Sequence, residues 1–366
     1  MKIALVVPGG VDRSGEHRVI PVILALIQRL AQHHEVHVFA LAQEALPADW
    51  SLCGAAIHNI GAQFTRARAV AAILRINSAK RFDVVQAIWS ANCGCVAVLA
   101  ARLIGAPSVV HIAGGELLAL PDIQYGGRMS WKGRLREALV LRSASAVTAA
   151  SAPMLRALTA LGHSAQRVPL GVDLTAWPPR EPVARRAGEA ARLIHVASLN
   201  RVKDQPTMLH ALAALASSGL KFRLDVVGED TLHGAIQSLA EELGLADKIR
   251  FHGFLPQPAL RPIMEAAHLH IIASRHEAGP VVFLEAAIVG VPTVGTAVGH
   301  IAEWAPTASR AVAIGNSAAL AATISALLED EDLRLQVARE AYRRGTSEDA
   351  DYTAAQFQRL YRTLVS

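Results

Sequence analysis

The densest chemistry in the chain lies in residues 274–303, which read SRHEAGPVVFLEAAIVGVPTVGTAVGHIAE. Seven residues separate Glu277 from Glu285, and Pro280 between them suits the first position of a helix. An apolar run at 268–273 reads as the strand that leads in. This layout sets Glu277 ahead of a helix N-terminus and Glu285 more than one turn along its flank. The first-turn backbone N–H groups, which have no partner inside a helix, lie between them. Carboxylates accept hydrogen bonds from sugar hydroxyls, and free N–H groups at the positive end of a helix dipole hold a phosphate. A nucleotide-diphosphate sugar carries ribose, diphosphate and hexose in that order. Two glutamates at this spacing would ordinarily face solvent. The setting of Glu285 inside VVFLEAAIVGVP argues otherwise, because an unpaired charge in an apolar helix is costly.

A second candidate for phosphate contact lies near the start. The first apolar run ends in Pro8-Gly9-Gly10, and Ser14-Gly15-Glu16 is expected to open the first helix, so Gly10 and Gly15 could bring backbone close to a ligand. The spacing is not G-x-G-x-x-G, and an ordinary strand-to-helix turn remains open. No metal site is expected. His33-His34 and the other histidines lack ligand spacing, and Cys53, Cys93 and Cys95 form no C-x-x-C and read as reduced thiols. Asp349-Ala350-Asp351 reads as a turn and helix cap, and Glu329–Asp332 as a solvated face or capping turn.

The elements that must position these residues follow from periodicity. Short Val- and Ile-rich runs, such as 3–7, 84–88, 108–112, 193–197 and 222–227, alternate with longer segments that carry apolar residues at helical spacing. This rhythm predicts an α/β fold with parallel sheets covered by helices on both faces. It pauses at 177–190, WPPREPVARRAGEA, which reads as a linker. Residues 1–176 and 191–345 then form two similar domains, and the tail 346–366 forms a terminal helix that could pack back on the first of them.

The chain has 366 residues, 52% of them hydrophobic, which suits two domains with sizeable cores. No apolar run is long enough to span a membrane, and the start lacks a signal-peptide pattern, so a cytoplasmic protein is expected. The net charge of +5 is uneven: residues 1–176 carry +7 and the rest −2. The basic residues are scattered without aromatic interleaving, which argues against nucleic acid. They are densest at Arg128, Lys132, Arg134, Arg136 and Arg142, beside a stripe of Trp131, Leu135 and Leu139. That pattern suits either a helix lying on an anionic membrane or one packing its Leu face on its own domain.

The segment Ser274, Glu277, Glu285, Ala286, Gly290, Pro292, Thr293, Val294, followed by Gly299 and Glu303, resembles the donor-site signature of family 4 glycosyltransferases. Pro169-Leu170-Gly171-Val172-Asp173, Val227-Gly228-Glu229-Asp230 and Phe251-His252-Gly253-Phe254 resemble further landmarks of that family, in order. The resemblance covers nearly the whole chain. It implies the GT-B fold, two Rossmann-like domains with parallel sheets facing each other across a cleft, acceptor in the first and nucleotide sugar in the second. It implies a glycosyltransferase of the hexosyltransferase class, retaining, with no cofactor and no bound metal, in a setting of polysaccharide biosynthesis. The acceptor would be a glycan, a lipid-linked glycan or a small molecule, and the enzyme could work at the inner face of the membrane.

The resemblance also implies roles. Glu277 would hold hexose hydroxyls and Glu285 the ribose. Lys203 and Arg201, with the helix start at Ala278, Gly279, Val281 and Val282, would meet the leaving diphosphate. Three departures stand out. Ser198 takes the place of the family's usual Arg, for which Arg201 could substitute. Ala113-Gly114-Gly115-Glu116 replaces the usual His-Gly, leaving His111, Gly114 and Glu116 as candidate sugar or acceptor contacts, with a buried structural His111 as the other reading. Glu277-Ala278-Gly279-Pro280 replaces E-G-F-G. A catalytically degenerate nucleotide-sugar binder and a nucleotide-sugar 2-epimerase are the alternative functions.

Overall fold

A computed structural model describes residues 1–186 and 188–366. Its contacts divide the chain into two units, Met1–Asp173 with Glu348–Ser366, and Leu174–Ser347. The first unit runs β1 (Lys2–Val7), α1 (Pro21–Ala31), β2 (Glu35–Ala40), β3 (Ala48–Leu52), β4 (Ala55–Asn59), α2 (Thr65–Ala79), β5 (Val84–Ile88), α3 (Cys95–Ile104), β6 (Ser108–Ile112), α4 (Trp131–Ser143), β7 (Ala146–Ala149), α5 (Ala152–Ala160) and β8 (Gln166–Arg167). The sheet order is β3-β4-β2-β1-β5-β6-β7-β8, and only the β3–β4 pair is antiparallel. The central strand β1 lies between β2 and β5 and is buried along its whole length, as expected for a strand covered on both faces.

The second unit runs β9 (Ala191–Val196), α6 (Gln205–Ser217), β10 (Phe222–Val227), α7 (Ala235–Glu242), β11 (Ile249–Phe251), α8 (Gln257–Ala266), β12 (Leu269–Ile272), α9 (Val281–Ile288), β13 (Thr293–Thr296), α10 (Gly299–Trp304), β14 (Arg310–Val312), α11 (Ser317–Glu329) and α12 (Glu331–Ser347). Its sheet is all parallel in the order β11-β10-β9-β12-β13-β14. A core of Leu193, Leu209, Leu212, Leu224, Ile271 and Ile324 lies between the sheet and its helices. The last helix, α13 (Ala350–Val365), belongs to the first unit and packs on α1.

Four sequence expectations need correction. The β3–β4 hairpin was not expected. Its strands ADWSL and AAIHN are short and polar, and its turn uses Cys53 and Gly54, both at positive φ (51° and 79°). The apolar run 167–170, whose pattern predicts one more strand of the first domain, lies mostly outside the two-residue β8 (Gln166–Arg167). Ser14-Gly15-Glu16 does not open a helix; Gly15 closes a turn onto Asp12 O, and α1 starts at Pro21. The expected linker 177–190 is, apart from Ala187, which lies outside the described residues, a strap held to the second unit. Trp177 is fully buried and donates through Nε1 to Glu285 O, Arg180 N–H donates to Ile288 O, and Arg334 Nη2 donates to Val183 O. Proline and arginine there mark a segment that pairs with side chains and helix ends instead of a sheet.

The motif at 169–173 has a structural role in the first unit. Thr353 in α13 donates to Pro169 O at 2.7 Å and accepts from Gly171 N–H at 2.8 Å. A Cβ on Gly171 would meet the Asp349 carbonyl carbon at 2.2 Å, so only glycine admits the approach. Arg29 of α1 closes the buckle, bonding Asp173 and Asp351. Asp349 caps α13 by accepting Tyr352 N–H, and Asp330 likewise accepts Leu333 N–H at the start of α12. Thr353→Val would keep the shape but orphan the Gly171 N–H. It should cost about 1–3 kcal/mol in urea denaturation; an unchanged midpoint and slope would show that the buckle contributes nothing.

Candidate functional site

In the second unit β10 and β11 lie to one side of β9, and β12, β13 and β14 to the other. The chain order therefore reverses between β9 and β12, which pair directly through Leu193↔Leu269 and Ile194↔His270. Parallel neighbours end at the same edge, so the loops that follow them come together there. Open α/β sheets bind ligands outside the carboxyl ends of strands at such a point. Here the loop after β9 supplies Lys203 and the loop after β12 supplies Glu277. Lys203 Nζ donates to Glu277 Oε1 at 2.6 Å, and Ser274 Oγ donates to the same oxygen at 2.6 Å. Glu277 Oε2 takes no protein hydrogen bond among the described residues and is not sealed from solvent.

The loops are held from beneath. His195, buried on β9, contacts Ile271 O through Nδ1 at 2.9 Å, and its Nε2 faces Gln205 Nε2 at 3.3 Å. Burial holds its pKa down to about 4, so the ring is neutral at pH 7. Gln205 also donates to Ser198 O, which fixes the loop that carries Lys203. Leu199 N–H donates to Glu229 O and Thr231 Oγ1 to Leu199 O, tying that loop to the one after β10. Gly228 must be glycine, since a Cβ there would lie 1.9 Å from Ala197 O.

Helix α9 begins at Val281, with Pro280 as its N-cap (φ −67°, ψ 119°), not its first helical residue. Proline fixes φ, but the chain arrives extended. Phe283 N–H donates to Pro280 O, while the N–H groups of Val281 and Val282 find no protein acceptor among the described residues. Ala278 is buried and Gly279 half-buried behind this start. Gly299 (φ 48°) backs the loop, with its Cβ position 3.0 Å from Glu277 O and from Pro280 Cδ. Glu285 is buried one turn further on. Its Oε1 accepts from Gln257 Nε2 at 2.7 Å, and burial pushes its pKa up to about 7. Its Oε2 keeps no protein partner among the described residues and is not sealed from solvent.

The structure thus joins Lys203, Glu277 and the start of α9 in one place. It leaves Arg201 exposed, with no ion pair among the described residues. Ser274, His195, Gln205 and Gln257 were not assigned roles from sequence. A histidine inside an apolar strand run, HVAS at 195–198, was the only signal for any of the last three. Among the described residues no group of three or more His, Cys, Asp or Glu is placed to hold a metal ion.

In the first unit the candidate contacts fare differently. Gly10 (φ 80°) gives its N–H to Gln43 Oε1 at 2.6 Å, so that donor is already committed. Gly15 sits in a turn. His111 is fully buried against Thr148 Oγ1 and the ring of Phe357, and burial lowers its pKa to about 3. It is a core residue, which corrects its candidacy as a sugar contact. Glu116 is also buried, and its carboxylate accepts from Ser90 N–H and Gly114 N–H. Burial raises its pKa. It shapes the 113–116 loop, and both oxygens are already engaged.

Comparison with known proteins decides the family. A model described as glycosyl transferases group 1 matches residues 181–344, and one described as glycosyl transferase 4-like domain matches 19–171. The chain belongs to the group 1 glycosyltransferases. It is 29% identical to the 2-deoxystreptamine glucosyltransferase of Streptomyces kanamyceticus over 264 residues, 66% of each chain. The chain spans about half to two thirds of the length of the curated relatives it matches. Among solved structures it resembles the sucrose-phosphate synthase of Thermosynechococcus elongatus (TM-score 0.80, 18% identity, covering 100% of this chain and 99% of that one). It also resembles Anabaena HepE in complex with UDP-glucose (TM-score 0.77, 18% identity, 100% of both chains). These place the chain in the GT-B fold.

Glu285 yields a test of the site's electrostatics. Its carboxyl titrates near 4.5 when unfolded and about 7 when folded. Between those values the folded state keeps a proton that the unfolded state has lost, so stability falls as pH rises through the window, by roughly 3 kcal/mol at most. Glu285→Gln lacks this titration. The variant should therefore gain on the wild type between pH 4.5 and 8 in denaturant titrations, and a difference independent of pH would refute the raised value.

Proposed function

We propose that the chain is a retaining hexosyltransferase that uses a nucleotide-diphosphate sugar and needs no metal ion. The bond from the anomeric carbon to the diphosphate breaks, a bond from an acceptor hydroxyl oxygen to that carbon forms, and the hydroxyl proton leaves with the diphosphate. The observation that carries this reading is the Lys203–Glu277 pair at the point where strand order reverses, beside the open N–H groups of α9. Negative charge grows on the leaving diphosphate in the transition state. The Lys203 ammonium and the N–H groups of Val281 and Val282 are positioned to receive it without reorganisation. Glu277 Oε2 is free to orient hexose hydroxyls, and Glu285 Oε2 to accept from the ribose.

The donor class is also supported by two similar proteins, one a glucosyltransferase and one solved with UDP-glucose. UDP-glucose is therefore the first donor to try. The acceptor hydroxyl belongs to a glycan, a lipid-linked glycan or a small molecule. The reading departs from the family pattern at Ser198, where Lys203 is left as the cation paired with Glu277.

Incubation with a panel of nucleotide sugars should release free nucleoside diphosphate, faster when an acceptor is added. Thermal stabilisation without release would mark a binder, and sugar interconversion an epimerase. Lys203→Ala should lower kcat roughly a hundred- to a thousandfold, as loss of one preorganised charge contact does, with a smaller change in donor affinity. Activity abolished by chelator and restored by magnesium would contradict the assignment of that charge to Lys203.

A further inference from the structure

Helix α4 is turned outward. It buries Gly133, Glu137, Val140 and Leu141, and leaves its most apolar stripe in the open. Trp131, Leu135 and Leu139, four residues apart, form that stripe. Leu99 and Leu103 on α3 form a second one beside it. All five are more than half exposed, from 51% at Leu99 to 63% at Trp131. A surface helix normally buries its leucines and shows its charges. Here the helix's glutamate is inside, paired with Arg128 at 2.7 Å, and two of its three leucines, Leu135 and Leu139, are outside.

The two stripes flank a groove of about 720 Å³. Its lining includes four cations, Arg66, Arg102, Lys132 and Arg136, and no acidic residue. None of the four is in an ion pair among the described residues. Phe64, 84% exposed, lines an adjoining hollow that shares Arg66. The cations come from three helices, so the sequence pattern along α4 alone could not reveal them. Two of the cations expected there are otherwise engaged: Arg128 with Glu137, and Arg134 with Arg128 O.

An apolar floor inside an unpaired cationic rim matches one chemistry, an acyl-chain layer beneath a layer of phosphates. A second copy of this chain docked face to face would set the rim cations against their own counterparts. A nucleic acid would leave the leucines unburied. We propose that this α3–α4 face seats the chain on an anionic phospholipid bilayer, with the leucines and Trp131 at the headgroup–acyl boundary and the rim cations on lipid phosphates. This stands apart from the glycosyl-transfer reading, and its test uses neither donor nor acceptor.

The test is co-sedimentation of the full chain with vesicles of phosphatidylglycerol and phosphatidylcholine, and with pure phosphatidylcholine. Binding is expected on the anionic vesicles in about 0.01 M salt, where the Debye length is about 30 Å, and should fall more than tenfold as it shrinks to about 3 Å near 1 M. A rim cation is worth about fivefold in partitioning, so Arg66→Gln, Arg102→Gln and Lys132→Gln together should lower it on the order of a hundredfold. The charge-matched set Arg223→Gln, Arg250→Gln and Arg339→Gln should retain binding. Leu99→Gln with Leu135→Gln should weaken it at every salt concentration. These side chains are exposed, so unchanged circular dichroism melts will verify the fold. No binding to anionic vesicles at low salt, or equal loss in both charge sets, would overturn the proposal. A concentration-dependent dimer dispersed by Leu135→Gln would assign the face to a second copy instead.

Discussion

An ammonium and a carboxylate 2.6 Å apart, contributed by loops after two neighbouring parallel strands, hold the site of this chain together. Neither Lys203 nor Glu277 is wholly exposed, so their attraction is stronger than that of a surface pair. Each partner also compensates the other's desolvation. Everything nearby serves to keep these two loops in register: the neutral His195 and Gln205 below, the glycine at 228 that lets two backbones touch, and Gly299 behind Glu277. The pair leaves donors on the lysine and one oxygen on the glutamate free.

That arrangement has a cost that other contacts offset. Glu285 is buried with a single partner, and burial alone pushes its carboxyl toward neutral pH. A carboxyl so placed costs stability once it ionises, because the folded state holds its proton more tightly than the unfolded chain does. The strap at 177–190, Ala187 apart, counters this from behind, with Trp177 packed in the core and bonded to the backbone of Glu285 itself. The first unit shows the same economy. Its 113–116 loop is fixed by the buried Glu116, and its terminal helix is locked by Thr353 on the 169–171 backbone.

The parts legible in sequence were those encoded locally. Glu277, Glu285, Gly290 and Gly299 sit within one strand–loop–helix segment, so their spacing alone conveys their placement. Gly290 is required because the strap passes behind it, where a Cβ would meet Pro182 N at 2.6 Å. Contacts between distant segments were not legible. Nothing in the sequence pairs Gln257 with Glu285 or sets Arg66 and Arg102 beside α4. Polar residues also mislead when they are used structurally. Gly10 looked like a phosphate donor, but a glutamine 33 residues away takes its N–H. Of the two readings open for His111, sugar contact or buried strand histidine, the structure gives the second, since its face of the sheet is covered by α13. The β3–β4 hairpin leaves no apolar run in the sequence, because its strands are held by pairing at the sheet edge.

The proposed site stands on Lys203 and Glu277 acting as one unit. A double-mutant cycle on donor-dependent kcat/KM, with Lys203→Met, Glu277→Gln and the combined variant, measures that directly. Strong non-additivity is expected: the double variant should be little worse than the worse single one, with a coupling energy of about 1–3 kcal/mol, as for residues in one charge network. Losses that add to within about 0.5 kcal/mol would mean two independent residues, and would rule out a site built on the pair.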